Sequence, residues 1–224
     1  MNEIFIGLDY SRTSSAMTVI SDSGIKSYAF PRRGNIKDKY VETFESAEVT
    51  VEIMEHTDAF TNLDNMECSY SYDAELLADN ICKAIGKIAN GQKIHIGLEG
   101  LSFASTGSSI LTYAGYHFVL RYVLVKTLGI KYEDIHIFSP GTVKKTAGKG
   151  NYKKPEMIEA YIRSEFFAEM KLQQHLISHV ELFQSPKAKH WAKPIDDIVD
   201  SLWVAKCLYD KIQNDKEKKT KETK

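Results

Sequence analysis

Cysteine is scarce: Cys68, Cys82 and Cys207 are the three in 224 residues, with no CxxC pair and no Cys/His spacing of the zinc type. That count argues against a disulfide framework and a structural zinc site, and it fits a reducing cytoplasm. No apolar run approaches the roughly 20 residues that span a bilayer. The opening MNEIFIGLDY carries an acid where a secretory signal needs positive charge. A cytoplasmic protein without a membrane partner is therefore expected. Lysine and arginine are absent from Val41 to Cys82, a stretch that holds eleven Asp and Glu residues. Against a net charge of −1, that segment's −11 leaves +10 on the remainder, so the chain can present a strongly basic face while nearly neutral overall. With 43% hydrophobic and 26% charged residues the composition is that of a globular chain, and the length suits a single core.

Periodicity gives the element order. EIFIGLD (3–9), SAMTVIS (15–21) and IKSYAF (25–30) read as three strands on short connections, hence an antiparallel meander. Residues from about 31 to 72 read as an insertion, acidic over 41–82, although Val49, Val51 and Ile53 alternate as in a strand. A helix is expected over 73–90 with Asp73 as its cap, a strand over 93–99, and an almost wholly apolar helix over 110–128. Such a helix belongs in a core or a subunit interface. A strand over 132–138, a polar stretch 139–154, a helix 155–169 opening at Pro155, an irregular second insertion at about 170–194 and a helix 195–213 follow. The charged tail 214–224 reads as flexible. The whole is a single domain over 1–213 of α/β class, a mixed sheet with its first three strands antiparallel.

Four acids stand out by position. Asp9 and Glu99 each end a strand in the pattern hydrophobic-Gly-Leu-acid, so neighbouring strands would deliver both to one sheet edge. Asp197 and Asp200 lie one helical turn apart and share a face, whereas Asp196 is turned from Asp197 by about 100°. Converging carboxylates suit Mg²⁺ or Mn²⁺, and two such ions can activate a water and stabilise the leaving oxygen of a phosphodiester. A second constellation, SPGTVKKTAGKGNYKK (139–154), holds Lys144, Lys145, Lys149, Lys153 and Lys154, two glycines between its lysines and no acid. It suits phosphates but is not a Walker A motif. Phe103, in a loop rich in Ser and Thr, is a candidate base contact.

Taken in order, GLDYSRTSSAMTVI, IGLEGLSF, VKKTAGKGNYKKPEMIEAYI and DIVDSL resemble the RuvC family of Holliday-junction resolvases, within the RNase H-like superfamily. The resemblance implies an RNase H-like five-stranded mixed sheet flanked by helices. It makes Asp9, Glu99, Asp197 and Asp200 metal-binding catalytic carboxylates, and it places Lys144 and Lys154 near the junction phosphates. It further implies two Mg²⁺ ions per site (Mn²⁺ substituting), a homodimer, and paired nicks that leave 5′ phosphates in a four-way DNA junction. Tyr10-Ser11 stands where the family commonly has Pro-Gly, and the aromatic after the Glu comes one place later, as Phe103. Two other readings stay open. GLDYSRTSS also resembles the first phosphate loop of sugar kinases and actin-like ATPases, and a catalytically inactive RuvC-like DNA-binding module would share the fold.

Overall fold

Alternation along the first strand divides the protein into layers. In the computed structural model, which describes residues 3–55, 66–101, 108–184 and 191–222, that strand is β1 (Glu3–Asp9). Ile4, Ile6, Leu8 and the following Tyr10 enter one core and Phe5 the other, because successive strand side chains point to opposite faces. β2 (Ser14–Ser21) and β3 (Gly24–Pro31) complete the expected meander, turning at Gly24 with φ +108°. β5 (Lys93–Glu99) pairs parallel to β1, and β6 (Ile135–Phe138) parallel to β5. They follow the helices α2 (Met66–Ala89) and α3 (Ser108–Leu128).

The mixed sheet with three antiparallel leading strands is thus present, but it has six strands and not five. After α1 (Asp38–Ser46), Val49 and Val51 of β4 (Val49–Val51) pair parallel to β3, giving the order β4-β3-β2-β1-β5-β6. On one face, Ala78, Ile81 and Ile85 of α2 and Tyr116, Leu120 and Leu124 of α3 pack on Ile4, Ile6 and Leu8. The other face is covered by α8 (Ile195–Glu222), backed by α4 (Pro140–Ala147) and α5 (Lys154–Ile162).

Several boundaries differ from expectation for identifiable reasons. The polar stretch after Phe138 is helical over α4, because Ser139 accepts from the Thr142 N–H and Pro140 fits the first turn. α5 stops at Ile162 because the buried Gln173 amide donates to the carbonyls of Tyr161 (2.6 Å) and Ser164 (2.8 Å). The region read as irregular contains α6 (Lys171–Ser178) and α7 (Val180–Phe183). Phe183 packs edge-on against Phe44 of α1 at 5.4 Å, so the two segments read as insertions meet. Asp73 lies inside α2 and is not its cap; it binds Arg32 at 2.5 Å. The charged run after 213 is helical to Glu222, with Lys216 bonded to Glu3. Phe103 lies outside the described residues. No helix among the described residues is long and apolar enough to cross a membrane.

Candidate functional site

The repeated hydrophobic-Gly-Leu-acid pattern has a direct geometric meaning. β1 and β5 pair with Gly7 opposite Gly97 and Leu8 opposite Leu98, so Asp9 and Glu99 end two adjacent parallel strands. By strand alternation both acids share the face of Phe5, the face that α8 covers. The glycines let α8 lie unusually close. A Cβ at Gly7 would fall 2.2 Å from the Ala205 nitrogen and 2.3 Å from the Ser201 carbonyl oxygen; one at Gly97 would meet Val204 Cγ1 at 3.1 Å. Ser201 fixes the helix's longitudinal position: its hydroxyl donates to the Ile198 carbonyl (2.8 Å) and accepts from Thr18, which lies 3.1 Å from Ser27. With Ile198, Val199 and Leu202 fully buried, the first turns of α8 carry Asp197 and Asp200 to the strand ends.

Four carboxylates in such a place disturb each other. Asp9 is held well above the usual carboxylate range by burial and by the charges of Asp197, Asp200 and Glu99. Asp200 is pushed up to about 7, chiefly by burial, with Glu99, Asp196 and Asp197 adding to it and Lys154 opposing. Asp197 is raised by burial and Asp196; Glu99 is raised by burial against the pull of Lys144 and Lys154. Each direction means that the charged form lacks compensation.

The nearby cations are lysines. Lys144 of α4 and Lys154 of α5 join Glu99 and Asp200, with Val143 and Met157, around a cavity of about 140 Å³. Of the six residues expected at the site, Glu99, Asp200, Lys144 and Lys154 line this cavity; Asp9 and Asp197 do not line it, but both are close enough to these acids for their charges to act on one another. Lys149 and Lys153 are exposed in the loop between α4 and α5, and Lys145 lays its stem over Gly150; these three do not line the cavity.

The helical angle turns Asp196 away from Asp197, and Lys193 precedes the helix. Both belong to the cluster: Lys193 Nζ lies 2.8 Å from Asp196 and from Asp197, and Lys154 Nζ lies 2.6 Å from Asp196. Burial acts to raise the Asp196 pKa, but its hydrogen bonds to Lys154 and Lys193 outweigh that and lower it. The signal was available in Lys193-Pro-Ile-Asp-Asp, where a lysine three and four residues before two aspartates can reach both.

No three His, Cys, Asp or Glu side chains among the described residues are drawn together as a metal-binding group. The donor chemistry nevertheless fits a hard divalent cation. The set consists of carboxylate oxygens, and Asp197 Oδ2 is buried with no well-formed hydrogen bond among the described residues, the Ser14 hydroxyl being its polar neighbour.

No protein-family model matches the chain, and no curated protein matches its sequence. Among solved structures the fold is similar to that of Thermus thermophilus RuvC, at 12% identity and a TM-score of 0.48, over 91% of this chain and 95% of that one. It is similar also to T. thermophilus RuvC in complex with a Holliday junction substrate, at 9% identity and a TM-score of 0.45, over the same shares of both chains.

Proposed function

We propose that the protein is a metal-dependent, structure-selective DNA endonuclease that resolves branched DNA, chiefly four-way junctions, by paired phosphodiester nicks leaving 5′ phosphates. The observation that supports this reading is that Glu99 and Asp200 line one cavity with Lys144 and Lys154, with Asp9 and Asp197 within electrostatic reach of them. Asp9, Glu99, Asp197 and Asp200 would hold Mg²⁺ or Mn²⁺, two ions in the proposed arrangement, which supply a nucleophilic water and offset charge on the phosphodiester. The remaining work belongs to the chain. Paired strands and the close-packed α8 fix the four carboxylates before substrate arrives, so no folding is needed at the moment of reaction. Lys144 and Lys154 meet the non-bridging oxygens of the scissile phosphate, where negative charge grows. Lys145, Lys149 and Lys153 draw in flanking phosphates.

A junction of approximate two-fold symmetry calls for two sites, and a homodimer supplies them. Outward-facing Leu111, Phe118 and Tyr122 of α3 are 75%, 67% and 50% exposed, an apolar stripe on a helix whose other side is core. We place the second copy there. Phe118→Glu should turn a dimer into a monomer in sedimentation analysis while leaving its circular dichroism unchanged; a wild-type monomer at micromolar concentration refutes this interface.

The test of function is incubation with end-labelled four-way, three-way, flap and linear DNA, in Mg²⁺ and in EDTA. Symmetric nicks in the four-way substrate, dependent on Mg²⁺, are expected. Asp9→Asn and Asp200→Asn should each reduce nicking at least a hundredfold and leave junction binding within about threefold. Undiminished nicking in both variants overturns the assignment.

A further inference from the structure

Lys154 stands on the first turn of α5, yet its ammonium sits among the aspartates of α8. Its Nζ makes a hydrogen bond of 2.6 Å to Asp196 Oδ2 and lies 3.9 Å from both Asp197 Oδ1 and Asp200 Oδ2. Lys193 binds the same Asp196 and Asp197 oxygens at 2.8 Å each. Asp196 Oδ2 therefore accepts from two ammonium groups. Among the three aspartates, the direct bond of Lys154 goes to Asp196, the acid outside the proposed metal set; to Asp197 and Asp200 it lends charge without a hydrogen bond at 3.9 Å.

The freedom of the two groups differs as well. The Lys154 side chain is 56% exposed and can swing, whereas that of Asp196 is 13% exposed and held in the first turn of α8. A divalent cation at Asp197 and Asp200 would meet this ammonium as a like charge within a few Å. Building on the endonuclease reading, we propose that Lys154 holds the place of a divalent cation in the metal-free protein, with Asp196 as its positioning residue. With a cation held by Asp197 and Asp200, the ammonium would leave these two acids and stay tethered to Asp196 at the cavity rim, free to donate its next hydrogen bond to a phosphate oxygen. One lysine thus serves first as internal counterion and then as substrate contact, with no movement of α8.

The test is Mn²⁺ binding to the full chain without DNA, by titration calorimetry, beside nicking of a four-way junction. Lys154→Gln should bind Mn²⁺ about five- to tenfold more tightly than wild type while nicking at least tenfold more slowly. Lys154→Arg, which keeps the charge, should gain no Mn²⁺ affinity. Asp196→Asn should slow nicking by itself, yet add nothing to Lys154→Gln in the double variant, because it acts through that lysine. If wild type binds Mn²⁺ and nicks junctions but Lys154→Gln binds no more tightly, or Lys154→Arg gains equally, the placeholder role is overturned and the endonuclease reading stands. Additive losses in the double variant overturn the role of Asp196. A wild type that neither binds Mn²⁺ nor nicks DNA overturns both.

Discussion

Asp200 ties the protonation of the site to the stability of the protein. Burial among Glu99, Asp196 and Asp197 pushes it up to about 7 from its ordinary 3.8. Between these values the folded chain keeps a proton that the unfolded chain has lost, so this group makes the metal-free protein progressively less stable as pH rises from about 4 to 7. His95 works in the opposite sense. It is buried against Phe5, with Glu3 at 3.6 Å from Nε2 and Asp134 at 3.7 Å from Nδ1; burial and Lys93 lower its pKa from 6.5 against the pull of these two carboxylates. The unfolded chain therefore takes up that proton first, and stability falls as pH drops below about 6.5. Comparing wild type with Asp200→Asn cancels the histidine. In EDTA at pH 8 the Asn variant should be the more stable by on the order of 2 kcal/mol, and the difference should shrink toward pH 5. Thermal melts across that range check it; a variant less stable at pH 8 contradicts the repulsion described for the pocket.

At the scale of elements, the seating of α8 on β1 decides the site. Because backbone atoms of Ser201 and Ala205 occupy the place of a Gly7 side chain, Gly7→Ala must lift the helix. A loss of about 3 kcal/mol is expected, which for a chain of this size lowers Tm by roughly 6–12 °C. Gly97→Ala meets side-chain atoms of Val204, Leu208 and Phe138 at 3.1–3.3 Å, which can yield, and should cost about 1 kcal/mol. Equal losses in the two variants would refute the close approach at Gly7. These glycines also mark how far the sequence was legible. Their repeat placed Asp9 and Glu99 side by side, and strand alternation gave the faces. Helical spacing put Asp197 and Asp200 on one face, but an angle on a helical wheel says nothing of Lys154, which arrives from another element to bind Asp196. The lysines and glycine of α4 give it the composition of a loop, and only Ser139-Pro140 signals its start. β4 showed in the alternation of Val49 and Val51, whereas α6 and α7 are short pieces stabilised by packing across the chain, as Phe183 on Phe44 illustrates, and local pattern carries little of that.

Across the whole molecule, the acidic segment and the lysine loop answer a question that net charge conceals. Glu55 and Asp73 of that segment bind Arg33 and Arg32, so part of its charge is spent on arginines just beyond β3. The loop between α4 and α5 instead leaves Lys149 and Lys153 exposed near the cavity. Each phosphate contact contributes about 0.9 to the slope of log affinity against log salt. Joint replacement of Lys149 and Lys153 by Ala should flatten the slope of junction binding by about 1.8, while Mn²⁺ affinity stays as in wild type. Anisotropy titrations between about 50 and 200 mM salt measure it; an unchanged slope removes this loop from the interface.

Because β1 supplies Asp9 while α8 supplies Asp197 and Asp200, a strand made early in this sequence waits for a helix nearly 190 residues later before the carboxylate set exists. A nascent or prematurely terminated chain lacking α8 cannot assemble it. Whatever chemistry the four acids perform is thereby reserved for molecules whose synthesis has run through that helix.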